Sequence, residues 1–133
     1  MSLVITLPFP PSVNHYWRHV ALGKGPKKRI TTLLSEPGRK YSAAVQGEVL
    51  RQKAARNINQ HVAMTILLHA PDRRRRDVDN YAKSLLDSLV KAKVLEDDSI
   101  VRDLRLVWGD VLAGGKAVVM IREIAQNAQG GLL

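Results

Sequence analysis

PDRRRRDVDNYAKSLLDSLVKAKVLEDD, the stretch from Pro71 to Asp98, places strong opposite charges side by side. Four arginines at residues 73–76 run directly into Asp77 and Asp79, and an acidic group at residues 96–98 ends the stretch. Arginine attracts phosphate and carboxylate repels it, so this arrangement has an electrostatic cost. A divalent cation between the carboxylates and a phosphate removes the conflict. We therefore interpret the stretch as the site of a metal-dependent enzyme that acts on a nucleic-acid backbone.

The two aspartates, Asp77 and Asp79, lie just before a predicted helix, where both side chains can converge on one point. Two bare carboxylates that close would repel each other, and a hard cation such as Mg²⁺ relieves the repulsion. Asp98 or Asp97 could supply a third ligand. The helix from Asp79 to about Lys93 is roughly 20 Å long, so this third carboxylate must come from an adjacent protomer or from a chain that folds back.

Lys83 follows one helical turn after Asp79 and has two interpretations. It could stabilise charge that develops on the phosphate or orient the attacking water, or it could form an ordinary surface pair with Asp79. The neighbouring arginines favour the catalytic interpretation. Asp87, one further turn along, is expected to pair with Lys83 or Lys91 rather than to bind metal.

The arginine run also has more than one interpretation. It could be a solvated loop or a localisation signal. It lies, however, directly between a predicted strand and a predicted helix, and arginine binds phosphate through two hydrogen bonds. Arg76, next to Asp77, is the first choice for a contact to the scissile phosphate.

Hydrophobic periodicity gives a coarse element order of β–α–β–α–β–β. This order predicts a single α/β (α+β) domain over residues 1–125, in which two main helices pack on a mixed sheet of about four strands. Residues 126–133 have no amphipathic pattern and are predicted to be a disordered tail. The predicted elements are strands at 3–7, 61–70, 100–108 and 118–124, and helices at 40–55 and from 77–80 to about 93.

Aromatic and basic residues are also concentrated near the N-terminus. Tyr16 and Trp17 could stack on bases or sugars, or they could pack over the edge of the core. A flexible basic loop at residues 23–29 could contact phosphates, or it could be solvated. Prolines before His15 argue against a helix there, and the four histidines form no zinc pattern.

Composition limits the classes of function. The chain of 133 residues has 21 Lys and Arg against 12 Asp and Glu, a net charge of +9, which favours a polyanionic partner. It has no cysteine, so thiolate metal sites, cysteine nucleophiles and disulfides are excluded. No apolar run is long enough for a membrane span and the N-terminus does not resemble a secretory signal. We expect no membrane partner and a cytoplasmic location with the nucleoid.

The central stretch and the N-terminal LPFPPSVNHYWRH resemble the RusA family of Holliday-junction resolvases, over about residues 3–124. The resemblance implies a homodimer that binds four-way DNA junctions and makes paired symmetric nicks with Mg²⁺. It implies that Asp77, Asp79 and Asp98 bind the metal and that Lys83 is catalytic. It does not tell which protomer completes each site. The residues expected to contact or support DNA are Arg73, Arg74, Arg75, Arg76, Asn14, Tyr16, Lys24, Lys27 and Lys28.

Two other functions remain open from the sequence. The chain could be a non-catalytic basic module that binds branched or single-stranded nucleic acid, or a metal nuclease that acts on RNA. The loop at residues 23–32 shows no motif, so the sequence does not indicate how a junction would be selected.

Overall fold

The computed structural model describes residues 2–125 of the chain, so the predicted tail at 126–133 lies outside the described residues. The described chain contains six strands, three α-helices and three 3-10 turns. The strands are β1 (Ser2–Leu7), β2 (Trp17–Leu22), β3 (Arg29–Leu34), β4 (Val62–His69), β5 (Val101–Trp108) and β6 (Lys116–Glu123). The helices are α1 (Val13–Tyr16), α2 (Glu36–Arg51) and α3 (Ala82–Lys91), and the 3-10 turns are Gly25–Lys27, Val78–Tyr81 and Asp98–Ile100.

Four strands form the main sheet in the order β1-β6-β4-β5. β4 pairs parallel with β5 and antiparallel with β6, and β6 pairs antiparallel with β1. The predicted mixed sheet of about four strands with two main helices is therefore confirmed. β4 lies between two neighbours, and its residues alternate between buried and half-buried along the strand.

The core lies between one face of this sheet and the helices. Alternate residues of β4, such as Val62 and Ile66, are fully buried, and they belong to the same apolar cluster as Val45 of α2 and Leu85 and Leu89 of α3. The opposite face of the sheet is more open, as the 61 % exposure of Val4 shows. The apolar sides of the two helices and one face of the sheet thus form one core, as the sequence periodicity predicts.

α2 begins at Glu36, four residues before the predicted start. Ser35 caps the helix, because its hydroxyl accepts a hydrogen bond of 3.0 Å from the Gly38 amide. The first turn of α2 also lies directly against the end of α1. A Cβ at position 38 would collide with the carbonyl oxygen of Tyr16, so this close approach requires glycine. The start of α2 therefore packs directly against the end of α1.

The largest difference from the sequence prediction is a second, two-stranded sheet. β2 and β3 pair antiparallel from Trp17↔Leu34 to Leu22↔Arg29. Most of the segment at residues 23–29, predicted as a flexible loop, is the turn of this hairpin and contains the short 3-10 turn Gly25–Lys27, while Arg29 already belongs to β3. The prediction that the prolines exclude a helix around His15 is wrong. The short helix α1 begins at Val13, two residues after Pro11.

No helix within residues 2–125 is long and apolar enough to cross a membrane.

Candidate active site

Asp72 organises the arginine loop that follows β4. Its carboxylate accepts hydrogen bonds from the backbone and the side chain of Arg74, the latter at 2.9 Å, and forms a 2.8 Å ion pair with Arg76. The bonds from Arg74, with that from Arg76, hold the pKa of Asp72 well below its ordinary value. A turn in which Asp bonds the backbone amide two residues later is a common local motif. The loop is therefore held by its own side chains.

Arg76 does not point to solvent, contrary to the expectation that it is the first contact to the scissile phosphate. Its side chain is only 11 % exposed. Besides the Asp72 carboxylate, its guanidinium donates to the backbone oxygens of Asp72 and Arg74 and lies 5.7 Å from the centre of the Phe9 ring. Phosphate binding by Arg76 would require it to give up these contacts. In this conformation Arg76 anchors the loop, and its contact to the scissile phosphate stays a prediction.

Phe9 belongs to an aromatic cluster beneath the loop. Its ring centre lies 5.1 Å from that of Tyr81 and 6.3 Å from that of Trp108. Arg76 therefore reaches this cluster through Phe9, which in turn contacts two other segments of the chain. Above this cluster a groove of about 280 Å³ is lined by Arg73, Arg74, Arg76 and Trp108, among others. Arg73, Arg74 and Arg75 are exposed and remain candidates for phosphate contacts.

Asp77 and Asp79 follow the arginine loop and are both exposed. Asp77 precedes the 3-10 turn Val78–Tyr81, and Asp79 lies within it. α3 begins only at Ala82, a few residues later than predicted, because the first turn takes the tighter 3-10 form. Lys83 is the second residue of α3, and its side chain is 62 % exposed.

Asp98 lies close to Lys83 in the same chain. The chain folds back after α3, so that the 3-10 turn Asp98–Ile100 contacts the helix, and the distance from Lys83 Nζ to Asp98 Oδ2 is 3.7 Å. Of the two possibilities left open by helix length, folding back is therefore the one that brings an acid to Lys83. Both residues of this pair belong to one chain.

Asp97 has a different role from Asp98. Its carboxylate accepts a 3.1 Å hydrogen bond from the Ser99 amide and so caps the 3-10 turn. Bonds from Ser99, with a smaller contribution from the charge on Lys83, lower the pKa of Asp97. Because this carboxylate is engaged in the cap, Asp98 is the better candidate for a metal ligand.

The predicted metal ligands do not converge in this conformation. Within residues 2–125, no group of three or more His, Asp or Glu side chains is close enough to hold a metal ion. The chemistry of the donor set nevertheless fits a hard divalent cation, because Asp77, Asp79 and Asp98 offer carboxylate oxygens that water can reach. Joining them around one ion requires side-chain movement or a shift of the 3-10 turns.

Tyr16 is buried, so it cannot stack on a base as expected. Its side chain has no exposed surface, and its hydroxyl donates to Asp87 at 2.5 Å and lies 3.2 Å from Ser88 Oγ. Burial raises the pKa of Tyr16, and the bond to Asp87 adds to the shift. Asp87 also pairs with Lys91 at 2.7 Å, which confirms the expected pairing of Asp87. Of the two interpretations of Tyr16, packing is the correct one.

Asn14 lies on the exposed side of α1, next to the site. α1 contacts both α3 and the 3-10 turn Val78–Tyr81, and the Ser84 hydroxyl donates to the Pro11 carbonyl at 2.8 Å. A cleft of about 490 Å³ between α1 and the hairpin is lined by Val13, Asn14, Trp17, His19 and Thr32. The sequence could not indicate this cleft, because it exists only once β2 and β3 pair.

The basic residues of the hairpin are all solvent-accessible. The segment at residues 17–34 contains no Asp or Glu. Its exposed cations are Arg18, Lys24, Lys27, Lys28 and Arg29. The loop lysines predicted to bind DNA therefore lie at the end of a projecting two-stranded element rather than in a featureless loop.

Comparison with known proteins places these features in a family. A family model described as endodeoxyribonuclease RusA matches residues 8–122. The chain is 38 % identical over 123 residues to the crossover junction endodeoxyribonuclease RusA of Escherichia coli strain K12, which covers 92 % of this chain and 96 % of that protein. It is 35 % identical over 118 residues to the crossover junction endodeoxyribonuclease of Enterobacteria phage HK97, covering 89 % and 92 %. The chain belongs to the RusA family of endodeoxyribonucleases.

Proposed function

We propose that this chain is a Mg²⁺-dependent endonuclease that resolves four-way (Holliday) DNA junctions in recombination and repair. The observation that carries the proposal is the approach of Lys83 to Asp98. The exposed Asp77 and Asp79 lie a few residues before Lys83 in the chain, directly after the arginine loop. The names of its relatives, crossover junction endodeoxyribonucleases, support the same substrate.

In this proposal Asp77, Asp79 and Asp98 hold the Mg²⁺. When bound, the ion would neutralise phosphate charge and lower the pKa of a water nucleophile. The exposed Arg73 and Arg75 would bind the phosphate on the side that faces away from the ion. They supply the positive charge that brings a polyanion next to three carboxylates.

Lys83 stabilises the negative charge that develops on the phosphate oxygens. Its ion pair with Asp98 is exposed and is worth at most about 1 kcal/mol. Lys83 can therefore exchange Asp98 for a phosphate oxygen at little cost. This exchange also leaves the Asp98 carboxylate available to the cation.

The substrate path proposed here joins the arginine loop to the hairpin cations Lys24, Lys27 and Lys28. Paired symmetric nicks on a four-way junction require two sites, so we propose that the enzyme acts as a homodimer, as the family resemblance implies. Its DNA substrate leads us to expect that it works in the cytoplasm at the nucleoid.

A non-catalytic module that binds branched nucleic acid is the second candidate. The net charge of +9 fits this candidate, because binding to a nucleic-acid backbone needs no catalytic site. A module that only binds, however, gains nothing from exposed acids next to its phosphate contacts. The acids therefore separate the two candidates experimentally.

The test is Asp79→Asn. We expect this variant to lose Mg²⁺-dependent nicking of a synthetic four-way junction and to bind the junction at least as tightly as the wild type, because one negative charge near the phosphate is removed. Asp103→Asn is the matched control, since Asp103 is an exposed aspartate on β5. It should nick normally. Linear duplex tested in parallel separates branch selectivity from general nuclease activity.

Normal nicking by Asp79→Asn with Mg²⁺ would refute the metal-site assignment. A wild-type protein that binds junctions tightly but does not nick them with Mg²⁺ or Mn²⁺ would favour the non-catalytic module.

A further inference from the structure

The cleft between α1 and the β2–β3 hairpin has the dimensions of a ligand site. Its volume of about 490 Å³ falls within the range of about 300–1,000 Å³ that is usual for small-molecule sites. Trp17 and His19 line it from β2, Thr32 from β3, and Asn14 from α1. α1 and the hairpin thus form its walls. α1 has the fully buried Tyr16 in the core, and the hairpin packs against the core through the partly buried Trp17 and Leu34.

The chemistry of this cleft suits a nucleobase. An aromatic ring such as that of Trp17 offers a surface on which any base can stack. The amide of Asn14 can donate and accept at the same time, which is the arrangement that reads the edge of a base. His19 Nδ1 lies 3.2 Å from the Thr32 hydroxyl, so its other ring nitrogen is left for a ligand in the cleft.

The Trp17 ring is held in place by the body of the protein. The Tyr16 ring meets it edge to face at 4.8 Å and an angle of 86°, and Lys91 Nζ lies 5.4 Å from its centre. Tyr16 is in turn fixed by Asp87 of α3. A ring fixed in this way loses little conformational freedom when a base stacks on it.

The surrounding charge identifies the occupant as nucleic acid. The hairpin supplies five Lys and Arg but no acid, and α1 contacts the 3-10 turn that contains Asp79. A strand bound at the candidate active site therefore passes near the cleft. A base can reach into such a cleft only when it leaves the duplex stack, which is easiest where base pairing is interrupted.

We propose that this cleft binds one unstacked nucleobase of the branched DNA, close to the nicked phosphate, with Trp17 as its stacking wall and Asn14 as the group that reads its edge. The inference rests on the proposed junction-cleaving function. It assigns to the cleft a role in choosing the nucleotide beside which the strand is cut.

The first test is spectroscopic and does not require cleavage. The chain has two tryptophans, so Trp108→Phe leaves Trp17 as the sole source of tryptophan emission. With Asp79→Asn added to prevent nicking, titration with a four-way junction should quench Trp17 emission. In the otherwise wild-type protein, Trp17→Ala should weaken junction binding by about 5-fold to 150-fold, the range for loss of one stacked base.

The second test measures base selection. Nicking rates are compared on junctions that differ only in the base beside the cut. Asn14→Ala should reduce the ratio between the most and least preferred bases by about fivefold or more, because an edge-reading contact is lost. Asn59→Ala, an exposed asparagine before β4, is the matched control and should leave this ratio unchanged.

Three results would overturn the inference. If the wild type nicks junctions but Trp17 emission does not respond to them and Asn14→Ala keeps its base preference, the inference alone fails. If Trp17 emission instead changes with protein concentration without DNA, in step with sedimentation, a second copy of the chain covers the cleft. If the wild type neither binds nor nicks any junction, the proposed function fails as well.

Discussion

Asp72 determines what its neighbouring arginines can do. Four consecutive arginines look equivalent in the sequence. If the segment were extended, successive side chains would simply point to opposite sides. In the fold, Asp72 bonds Arg74 and Arg76, and Arg76 is further held by Phe9. The acids and Lys83 could be selected from sequence because their spacing carries chemistry, whereas the division of the arginines depends on contacts with Phe9, far away in the chain.

Arg76 and Arg75 should therefore behave differently when replaced by alanine. Arg76→Ala should lower the free energy of unfolding by about 1–3 kcal/mol, because the arginine loop loses the ion pair, the two backbone hydrogen bonds and the Phe9 contact of this largely buried side chain. Arg75→Ala should change stability by no more than about 0.5 kcal/mol, but it should reduce the slope of log affinity against log salt by about 1. Urea unfolding and junction titration at several salt concentrations measure the two effects. The opposite pattern would make Arg76 the phosphate ligand.

The carboxylate of Asp72 also predicts a dependence of stability on pH. Its hydrogen bonds from Arg74 hold its pKa in the folded state below the ordinary value of 3.8. A group with a depressed folded-state pKa stabilises the fold fully above its unfolded pKa and loses this contribution as the pH falls below it. The difference in unfolding free energy between the wild type and Asp72→Asn should hence be constant near neutral pH and shrink below pH 3.8. A difference that does not change with pH would show that Asp72 does not stabilise the fold as an anion.

At the scale of elements, the strands and helices with one strongly apolar face are predictable and the hairpin is not. β4 alternates cleanly because both of its neighbours and the helices cover it. β2 and β3 are half-exposed on both faces, and Ile30 is even 74 % exposed, so no burial period appears in their sequence. Tyr16, anchored to Asp87 of α3, holds the base of this hairpin through a contact that no local pattern reveals.

The hairpin turn should contribute to DNA affinity through its charge. Replacing Lys24, Lys27 and Lys28 together by glutamine should weaken junction binding and reduce the salt slope by up to about 3, because each phosphate contact releases nearly one counterion. The thermal midpoint should hardly change, since all three side chains are exposed. The control replaces Lys40, Lys53 and Lys93 by glutamine, which removes the same amount of positive charge outside the hairpin. Equal loss of affinity in both triple variants would show that only net charge matters.

At the scale of the whole molecule, the central question is which chain completes each site. Helix length alone allows either a partner subunit or a chain that folds back. In the structure, the segment after α3 returns so that Asp98 meets Lys83 of its own chain. The sequence could not decide this, because the return path depends on the backbone contacts of Asn57 and Ile58 with Lys93 and Val94, two segments far apart in the chain. In the homodimer that we propose, the second subunit would then supply the second cut rather than a residue of the first site.

Mixing two inactive variants tests whether each site is built from one chain. If Asp79 and Asp98 of one chain serve the same site, a heterodimer of Asp79→Asn with Asp98→Asn has one damaged residue in each site, and the mixture should stay inactive. If the sites were shared between subunits, the same heterodimer would contain one intact site and would nick one strand. The mixture must be unfolded and refolded together so that subunits exchange, and a mixture of wild type with Asp79→Asn confirms the exchange by making single nicks where the wild type makes pairs. Recovery of nicking in the first mixture would show that Asp98 acts across the dimer, despite its position beside Lys83 in its own chain.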